Sequence, residues 1–389
     1  MNPLLEKTKK RMGSPLGVSL LTELWDGKWE KANTRILDDL GVAIATNPGV
    51  RRVRNEDRLA FAQVNAANNE IYIIAIVCDG VGGSELGDIA ATLGIASILN
   101  ELAHHSKKSS LIELADNLVR KADIFIREEL AGKGTTTLSM MLVSPSGECA
   151  AVNIGDSRIY AWLPNKILQQ ISVDDTIENE LRGFLIKNQG ILDARGLRGR
   201  LSQALGETGR TSADLRVIVF DEKTFVNRGV VIATDGVWKS VEEGFKSIIL
   251  NASSAQEAVK RSVAFAIWTG GIDNISIIAI NDLQQMAASI FRSNHSNYNS
   301  ISITAWIGDT KFTSVESIES DNLKSRPPSF KSEVADKKQK KSSNSRKKPI
   351  SNKTDTSQLQ ITESSNSSNR DSPRTEIEIT IETDDNSKK

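Results

Sequence analysis

Histidine and cysteine are scarce in this sequence, and their scarcity removes several chemistries at once. Among 389 residues there are three histidines, His104, His105 and His295, and two cysteines, Cys78 and Cys149. His104 and His105 fall on a helix-like segment with no carboxylate-rich partner motif, and His295 lies in a polar stretch. A histidine-ligated metal or a histidine general base is therefore not expected. Both cysteines sit in apolar stretches that read as strands, which speaks against a disulfide framework and fits a reducing cytosol. Long apolar runs are also missing: the longest, residues 71–78, is far short of the roughly 18 residues of a membrane helix. Net charge is missing too. Lys+Arg and Asp+Glu are both 49, so no global field points to nucleic acid or to an anionic membrane. The N-terminus, MNPLLEKTKKRMGS, carries charge but no apolar signal core. The expectation is a soluble cytoplasmic protein with no membrane span and no nucleic-acid partner.

The 39% hydrophobic content is below the roughly 45–50% usual for globular domains, and the deficit lies at the C-terminus. Residues 1–38 read as an N-terminal extension without an assigned role, in which Leu20, Leu21, Leu24, Trp25 and Trp29 have the spacing of a short amphipathic helix. Residues 39–283 read as the globular part. GVAIAT (41–46), RLAFAQV (58–64) and IYIIAIVC (71–78) are strand-like, the last apolar on both faces and hence buried. Residues 86–105 and 111–130 carry apolar positions at helical spacing. Strands follow in TTTLSMMLVS, ECAAVNIGD and SRIYAWL, with Ser146-Gly147 as a turn. A mostly polar segment, about 171–200, precedes LRVIVFD, GVVIATD, a helix near 255–268 and NISIIAIND. Neighbouring strands and blocks of helices, rather than regular alternation, indicate an α+β sandwich with antiparallel sheets inside and helices outside. From 284 to 389 the chain is expected to be a low-complexity, disordered tail. Phe330 is the one aromatic in 320–389, and such a segment has too little apolar surface to offset its ordering entropy.

Acids stand where apolar strands end or begin. They are Glu56 and Asp57 in RVRNEDR, Asp79 in CDGVGG, Asp156 in IGDSR, Asp235 in ATDGVW and Asp273 in IDNIS. Taken singly, each is an ordinary turn residue, and the glycines at 80, 82 and 83 serve tight backbone geometry equally well. As a set, carboxylates at strand mouths suit hard divalent cations such as magnesium or manganese. Two such ions activate a water and clamp an in-line displacement at phosphorus. Other phosphate chemistries are excluded by what is absent. A cysteine phosphatase needs arginine six residues after its cysteine, where this chain has Ser84 and Gly155. A P-loop needs lysine after its last glycine, and Gly82-Gly83 has none following. A dinucleotide fingerprint beginning at Gly80 needs glycine where Glu85 stands.

In order, RVRNEDR, VCDGVGGSELGDIAA, GTTTLSMMLV, AAVNIGDSRIYAW, LSQALG, VVIATDGVW and GIDNISII resemble the motif series of the metal-dependent, type 2C Ser/Thr protein phosphatases, most of all their bacterial branch. The resemblance spans about 41–281. It implies a four-layer α-β-β-α sandwich, two antiparallel central sheets flanked by helix pairs. It implies that Asp79, Asp235, Asp273 and the backbone carbonyl of Gly80 hold two Mn²⁺ or Mg²⁺ ions, with Glu56 and with Asp57 acting largely through coordinated water. Asp156 matches a position that helps hold a third, weaker ion. Arg52 matches the arginine that binds the substrate phosphate, a role suited to a planar guanidinium, and Arg54 is its rival in alignment. Two positions depart from the pattern. Val81 stands where animal relatives carry a histidine, and Asp174-Asp175 stands in the flap-like segment 171–200 where an Asp-His pair is common.

The implied reaction is one-step hydrolysis of phosphoserine and phosphothreonine in proteins by a metal-bridged hydroxide, with the catalytic roles on Arg52 and Asp57. The expected partners are phosphorylated targets of a Ser/Thr kinase, and the tail is a candidate docking segment. A catalytically inactive domain of the same fold, sensing or docking phosphoproteins, is the alternative.

Overall fold

The computed structural model describes residues 2–181, 196–197, 199–225, 228–293 and 300–317. Its strands are β1 (Asn33–Leu37), β2 (Val42–Asn47), β3 (Asp57–Asn65), β4 (Ile71–Asp79), β5 (Leu138–Val143), β6 (Cys149–Ile154), β7 (Arg158–Leu163), β8 (Ile167–Gln170), β9 (Val219–Phe220), β10 (Gly229–Ala233), β11 (Ile275–Ile280), β12 (Ser300–Ile307) and β13 (Thr310–Ser317). Its helices are α1 (Pro3–Met12), α2 (Pro15–Asp26), α3 (Gly87–Ala103), α4 (Leu111–Leu130), α5 (Ile177–Glu180), α6 (Asp235–Trp238), α7 (Glu242–Leu250), α8 (Ala255–Trp268) and α9 (Leu283–Ser293).

Among the described residues the strands form two sheets, one of order β1-β2-β11-β10-β7-β8 and one of order β13-β12-β3-β4-β5-β6-β9. Every pairing in them is antiparallel. The central strands are apolar throughout because both their faces are covered. In β3 and β4, Leu59, Phe61, Ile73, Ala75 and Val77 meet Val230, Ile232, Ile278 and Ile280 of the other sheet. The alternate residues, Ala60, Ala62, Ile74, Ile76 and Cys78, pack with α3 and α4. On the far side Val231, Ala233, Ile277 and Ala279 pack beneath α8. Helix, sheet, sheet, helix is thus the layer order, as expected for the α+β sandwich.

Segments on either side of the expected globular part join this sandwich. Residues 1–38 are not a bare extension: Leu16, Leu20, Leu21 and Leu24 of α2 enter the same core as α3, and β1 pairs with β2 in register from Asn33–Thr46 to Leu37–Val42. Ser14 caps α2 by accepting a hydrogen bond from the Gly17 N–H, and proline occupies its first position, where no amide donor is needed. The expected change to a disordered tail at 284 is corrected likewise. Helix α9 buries Leu283, Met286, Ala287 and Ile290 against the inter-sheet core. Strand β12 pairs with β3 and β13 with β12, and Ile301, Ile303, Ala305 and Ile307 alternate into the core with α2 and α3. Alternation at period two supplies the apolar face that a solvated tail lacks. Residues 318–389, on which the tail readings rest, lie outside the described residues. Among the described residues no helix is long and apolar enough to cross a membrane.

The N-terminal segment also reaches the loop before β3. Trp29, 4% exposed, lies under the Arg58 guanidinium, 4.7 Å from ring centroid to Cζ. Its carbonyl accepts a hydrogen bond from Asn55 Nδ2 at 2.9 Å, and Arg58 in turn donates to the carbonyls of Asn55 and Asp57 at 2.7 and 2.8 Å. Trp29→Ala is expected to lower the unfolding free energy by about 3–5 kcal/mol, the range for truncating a buried tryptophan. Urea unfolding followed by tryptophan fluorescence and circular dichroism checks it; a loss under about 1 kcal/mol would show that the segment is not part of the cooperative core.

Candidate active site

Hydrogen bonds from neighbouring strands fix each acid in place. The β3–β4 register sets Asp57 opposite Asp79. Asp57 is fully buried. Its Oδ2 accepts a hydrogen bond from Thr234 Oγ1 at 3.0 Å, reaching across from the end of β10, while its Oδ1 is buried with no partner. The Asp79 N–H donates to Thr137 Oγ1 at 3.0 Å. Its carbonyl accepts from the Thr137 N–H at 2.8 Å and from Thr136 Oγ1 at 2.9 Å. Two glycines are required by close approach: a Cβ on Gly80 would lie 2.4 Å from the Gly87 carbonyl carbon, and one on Gly236 would lie 1.9 Å from the Asn274 carbonyl oxygen. Asn274 ties the ends of two segments together. Its Oδ1 accepts from the Glu56 N–H at 2.8 Å, and its Nδ2 donates to the carbonyls of Pro48 and Arg54, each at 2.9 Å. That clamp brings Arg52 beside Asp273, with Nη2 and Oδ2 2.7 Å apart.

A cleft of about 490 Å³ opens over these strand ends, with Arg52, Asp79, Asp156, Asp235, Lys239 and Asp273 in its wall. Asp57 lies beneath the wall and Glu56 beside it, half-buried. The acids feel one another. Burial pushes the Asp57 carboxyl up to about 7; hydrogen bonds from Ser276 and Thr234 oppose the rise, and Asp273 and Asp235 add to it. Burial, then Asp57, Asp235, Asp156 and Asp273, hold Asp79 well above the usual carboxylate range. Asp156 is pushed up to about 7 by burial and then by Asp235, with Lys239 pulling the other way. Glu56 is raised by burial and by Asp88. Among the described residues Arg52, Arg200 and Lys239 are the cationic ones in the cleft wall, and two of them respond to the acids. The hydrogen bond to Asp273 holds the Arg52 guanidinium above its ordinary value. Burial opposes the Lys239 charge, but Asp235 and Asp156 outweigh it and raise that ammonium.

The family model for protein phosphatase 2C matches residues 50–267. The chain belongs to the protein phosphatase 2C family. The serine/threonine phosphatase stp of Listeria monocytogenes serovar 1/2a is 26% identical over 254 residues, covering 62% of this chain and 95% of that protein. Protein phosphatase PhpP of Streptococcus pneumoniae is 21% identical over 258 residues, covering 62% of this chain and 96% of that protein. Among solved structures, the S. agalactiae serine/threonine phosphatase aligns with a TM-score of 0.52 at 16% identity, over 61% of this chain and 98% of that one. Phosphatase Stp1 from Staphylococcus aureus aligns at 0.51 and 18%, over 63% and 95%. These structural likenesses show a shared fold. The span that matches the 2C family leaves out α1, α2, β1, β2, β11, α9 and the β12–β13 hairpin, and with them Asp273 and Asn274.

Within this 2C-type fold, Asp79, Asp156, Asp235, Asp273 and Arg52 face one cleft, Asp57 and Glu56 border it, and Gly80 forms the bridge to Thr136 beside it. Arg54 is exposed and not in the cleft wall. Asp174 and Asp175 are tied elsewhere: Asp174 accepts a fork of hydrogen bonds from Arg158 at 2.8–3.1 Å. Asp175 accepts from the Gly155 N–H at 3.0 Å, Gln203 at 2.8 Å and Arg216 at 2.6 Å. Residues 182–195 and 198 of segment 171–200 lie outside the described residues. Thr137, Thr234, Asn274 and Lys239 escaped the sequence reading; a polar residue flanking each acid was the available signal. Among the described residues no three acidic, histidine or cysteine side chains stand close enough together to enclose an ion as they are placed.

The raised carboxyls set a pH dependence. In the folded chain Asp57 and Asp156 keep, up to about pH 7, protons that the unfolded chain has released above about pH 4, and Asp79 is raised in the same direction, so folding binds protons across that range. Stability in EDTA is therefore expected to fall as pH rises from about 4 to 7. Because divalent ions bind the deprotonated groups, Mn²⁺ should raise the melting temperature more at pH 8 than at pH 5. Differential scanning calorimetry at both pH values, with EDTA or Mn²⁺, reads this directly; a melting temperature in EDTA that climbs from pH 4 to 7 contradicts it.

Proposed function

We propose that this chain is an active protein phosphatase that hydrolyses phosphoserine and phosphothreonine side chains by direct transfer of the phosphoryl group to water. The observation that carries this reading is the buried, unpartnered Asp57 Oδ1 beneath a cleft whose wall includes Asp79, Asp156, Asp235, Asp273 and the exposed Arg52 guanidinium. A structure holds an uncompensated buried carboxylate only where something else supplies its partner, and the oxygen-rich set here suits magnesium or manganese. The family is metal-dependent, and Glu56, Asp57, Asp79, Asp235, Asp273 and the Gly80 carbonyl are the groups that would hold two such ions, with Asp156 at the edge of the set. When bound, a pair of divalent ions lowers the pKa of a coordinated water and offsets charge developing at phosphorus.

The chain's own residues do the rest. Arg52 has five N–H donors, of which one is engaged with Asp273; the remaining fork suits the oxygens of a phosphate monoester. Its side chain is 39% exposed, so it meets substrate at the rim. Val81 lines the cleft, and His104 bonds instead to the Asn100 carbonyl at the end of α3. Among the described residues no imidazole lines the cleft, so the proton for the departing serine or threonine oxygen is assigned to water or to another group of the cleft. The same placement favours phosphorylated targets of a cytoplasmic Ser/Thr kinase as substrates, since an open, polar cleft admits a side chain on a large protein.

Asp79→Asn should reduce Mn²⁺-dependent phosphate release from phosphoserine and phosphothreonine peptides to background. Arg52→Ala should lower kcat/KM by roughly 10²-fold, the scale for removing one charge-stabilising donor. No phosphate should become attached to the protein. Full activity in Asp79→Asn, or trapped ³²P on the chain, would sink the mechanism; no Mn²⁺-dependent hydrolysis of any phosphopeptide or aryl phosphate by the wild type would favour the inactive docking domain.

A further inference from the structure

The acidic cleft is not uniform. On one side, Asp57 Oδ1 has no partner, and Asp273 shares its charge only with the exposed Arg52. On the other side stands Lys239, one helical turn after Asp235 in α6 and so on the same face. Its Nζ is 2.5 Å from Asp235 Oδ2 and 3.7 Å from Asp156 Oδ2. Those two acids arrive from different sheets, Asp156 just after β6 and Asp235 just after β10, and each has a side chain only 10% exposed. Lys239 is the basic group ion-paired to Asp156 among the described residues. An ammonium wedged between two nearly buried carboxylates already does what a bound cation would do there. A second positive charge arriving beside it would be repelled at a few ångströms; the Lys239 side chain is 46% exposed, so water screens part of this, but the two acids it pairs with are each only 10% exposed and are already engaged.

We propose that Lys239 is a built-in cation at the Asp156–Asp235 side of the cleft, standing in for a third divalent ion, so that the protein takes up two divalent ions and not three. This rests on the metal-dependent reading above. It makes Lys239 a positioning residue: it fixes Asp156 and orients Asp235 without itself touching the reacting phosphate. The plain alternative is an incidental pair of the i,i+4 kind at the end of a short helix, without effect on metal uptake.

The test counts ions. The full-length protein, stripped with EDTA, is titrated with Mn²⁺ by calorimetry, and bound Mn²⁺ is counted independently by the loss of the free-ion EPR signal up to millimolar metal. Wild type should bind two ions. Lys239→Met and Lys239→Gln should each bind three, the double change Lys239→Met with Asp156→Asn should return to two, and Lys239→Arg should stay at two. Wild type binding three ions, or both uncharged variants binding the same two as wild type, would overturn the proposal while leaving the metal centre intact. Wild type binding no Mn²⁺ would overturn both together. The two uncharged variants differ in polarity, so misfolding of one leaves the count readable in the other.

Discussion

Repulsion among carboxylates is the interaction around which this molecule is arranged. Asp57, Asp79, Asp156, Asp235 and Asp273 come from five different strand ends and lie close enough that the carboxyls of Asp57, Asp79 and Asp156 are raised by their neighbours as well as by burial. A free chain would separate them. They stay together because each is anchored at its backbone or its far oxygen: Asp79 by two threonines of the GTTT segment, Asp57 by Thr234, and the Asp273 neighbourhood by the Asn274 clamp. The two sheets carry the resulting cost, since their inner faces are apolar and close-packed and resist the displacement that would relieve the charge. Strand ends thus serve function at the expense of local stability, a trade that enzymes make repeatedly.

That arrangement explains which parts of the protein were legible in its sequence. The acids announced themselves because each interrupts or follows an apolar run, and the runs were unmistakable because both strand faces are buried. Helices α3 and α4 were equally plain. What the sequence did not show is how far the sandwich extends. Helix α3 is apolar almost all the way round, with Ala90, Leu93, Ile95, Ile98 and Leu102 all buried, and a helix of that kind needs cover on more than its sheet-facing side. The cover is α2. Its leucines read as a short amphipathic segment of no stated purpose, because the surface they complete belongs to a helix some eighty residues later. The β12–β13 hairpin was hidden by composition: serine, threonine and lysine on its outward face resemble the polar tail beyond. The side chains that hold the acids stayed hidden for a different reason. Thr137, Thr234 and Asn274 are ordinary residues at strand ends, and only the fold turns them toward a carboxylate.

The segments outside the span matched by the 2C family model are therefore not ornament. The N-terminal segment reaches the site through a short, continuous path: Trp29 supports Arg58, and Arg58 holds the carbonyls of Asn55 and Asp57. Asn55 is held from the same side by the Trp29 carbonyl and by the Glu30 carboxylate, which accepts its N–H at 3.2 Å. The Glu56–Asp57 pair sits on a loop that would otherwise end the sheet unsupported. Covering it with a neighbouring segment limits the loop's freedom in the way that preorganised sites require.

Of the three cationic residues described in the cleft wall, Arg52, Arg200 and Lys239, Arg52 and Lys239 are ion-paired to its acids, and their settings differ. Arg52 stands at the rim, with one donor on Asp273 and its side chain open to solvent; it can trade that contact for a phosphate because both partners remain hydrated. Lys239 is bound more tightly into the acid set, between two carboxylates with little access to water, and a phosphate could claim it only by leaving Asp156 and Asp235 facing each other. The difference lies in the partners and not in the cations themselves: the Lys239 side chain is 46% exposed, but it pairs with two carboxylates whose side chains are each 10% exposed, whereas Arg52 pairs with one, 28% exposed. On the proposed reading the guanidinium exchanges Asp273 for a phosphate while the ammonium stays, so the cleft keeps its charge balance on one side while the other is free to bind and release.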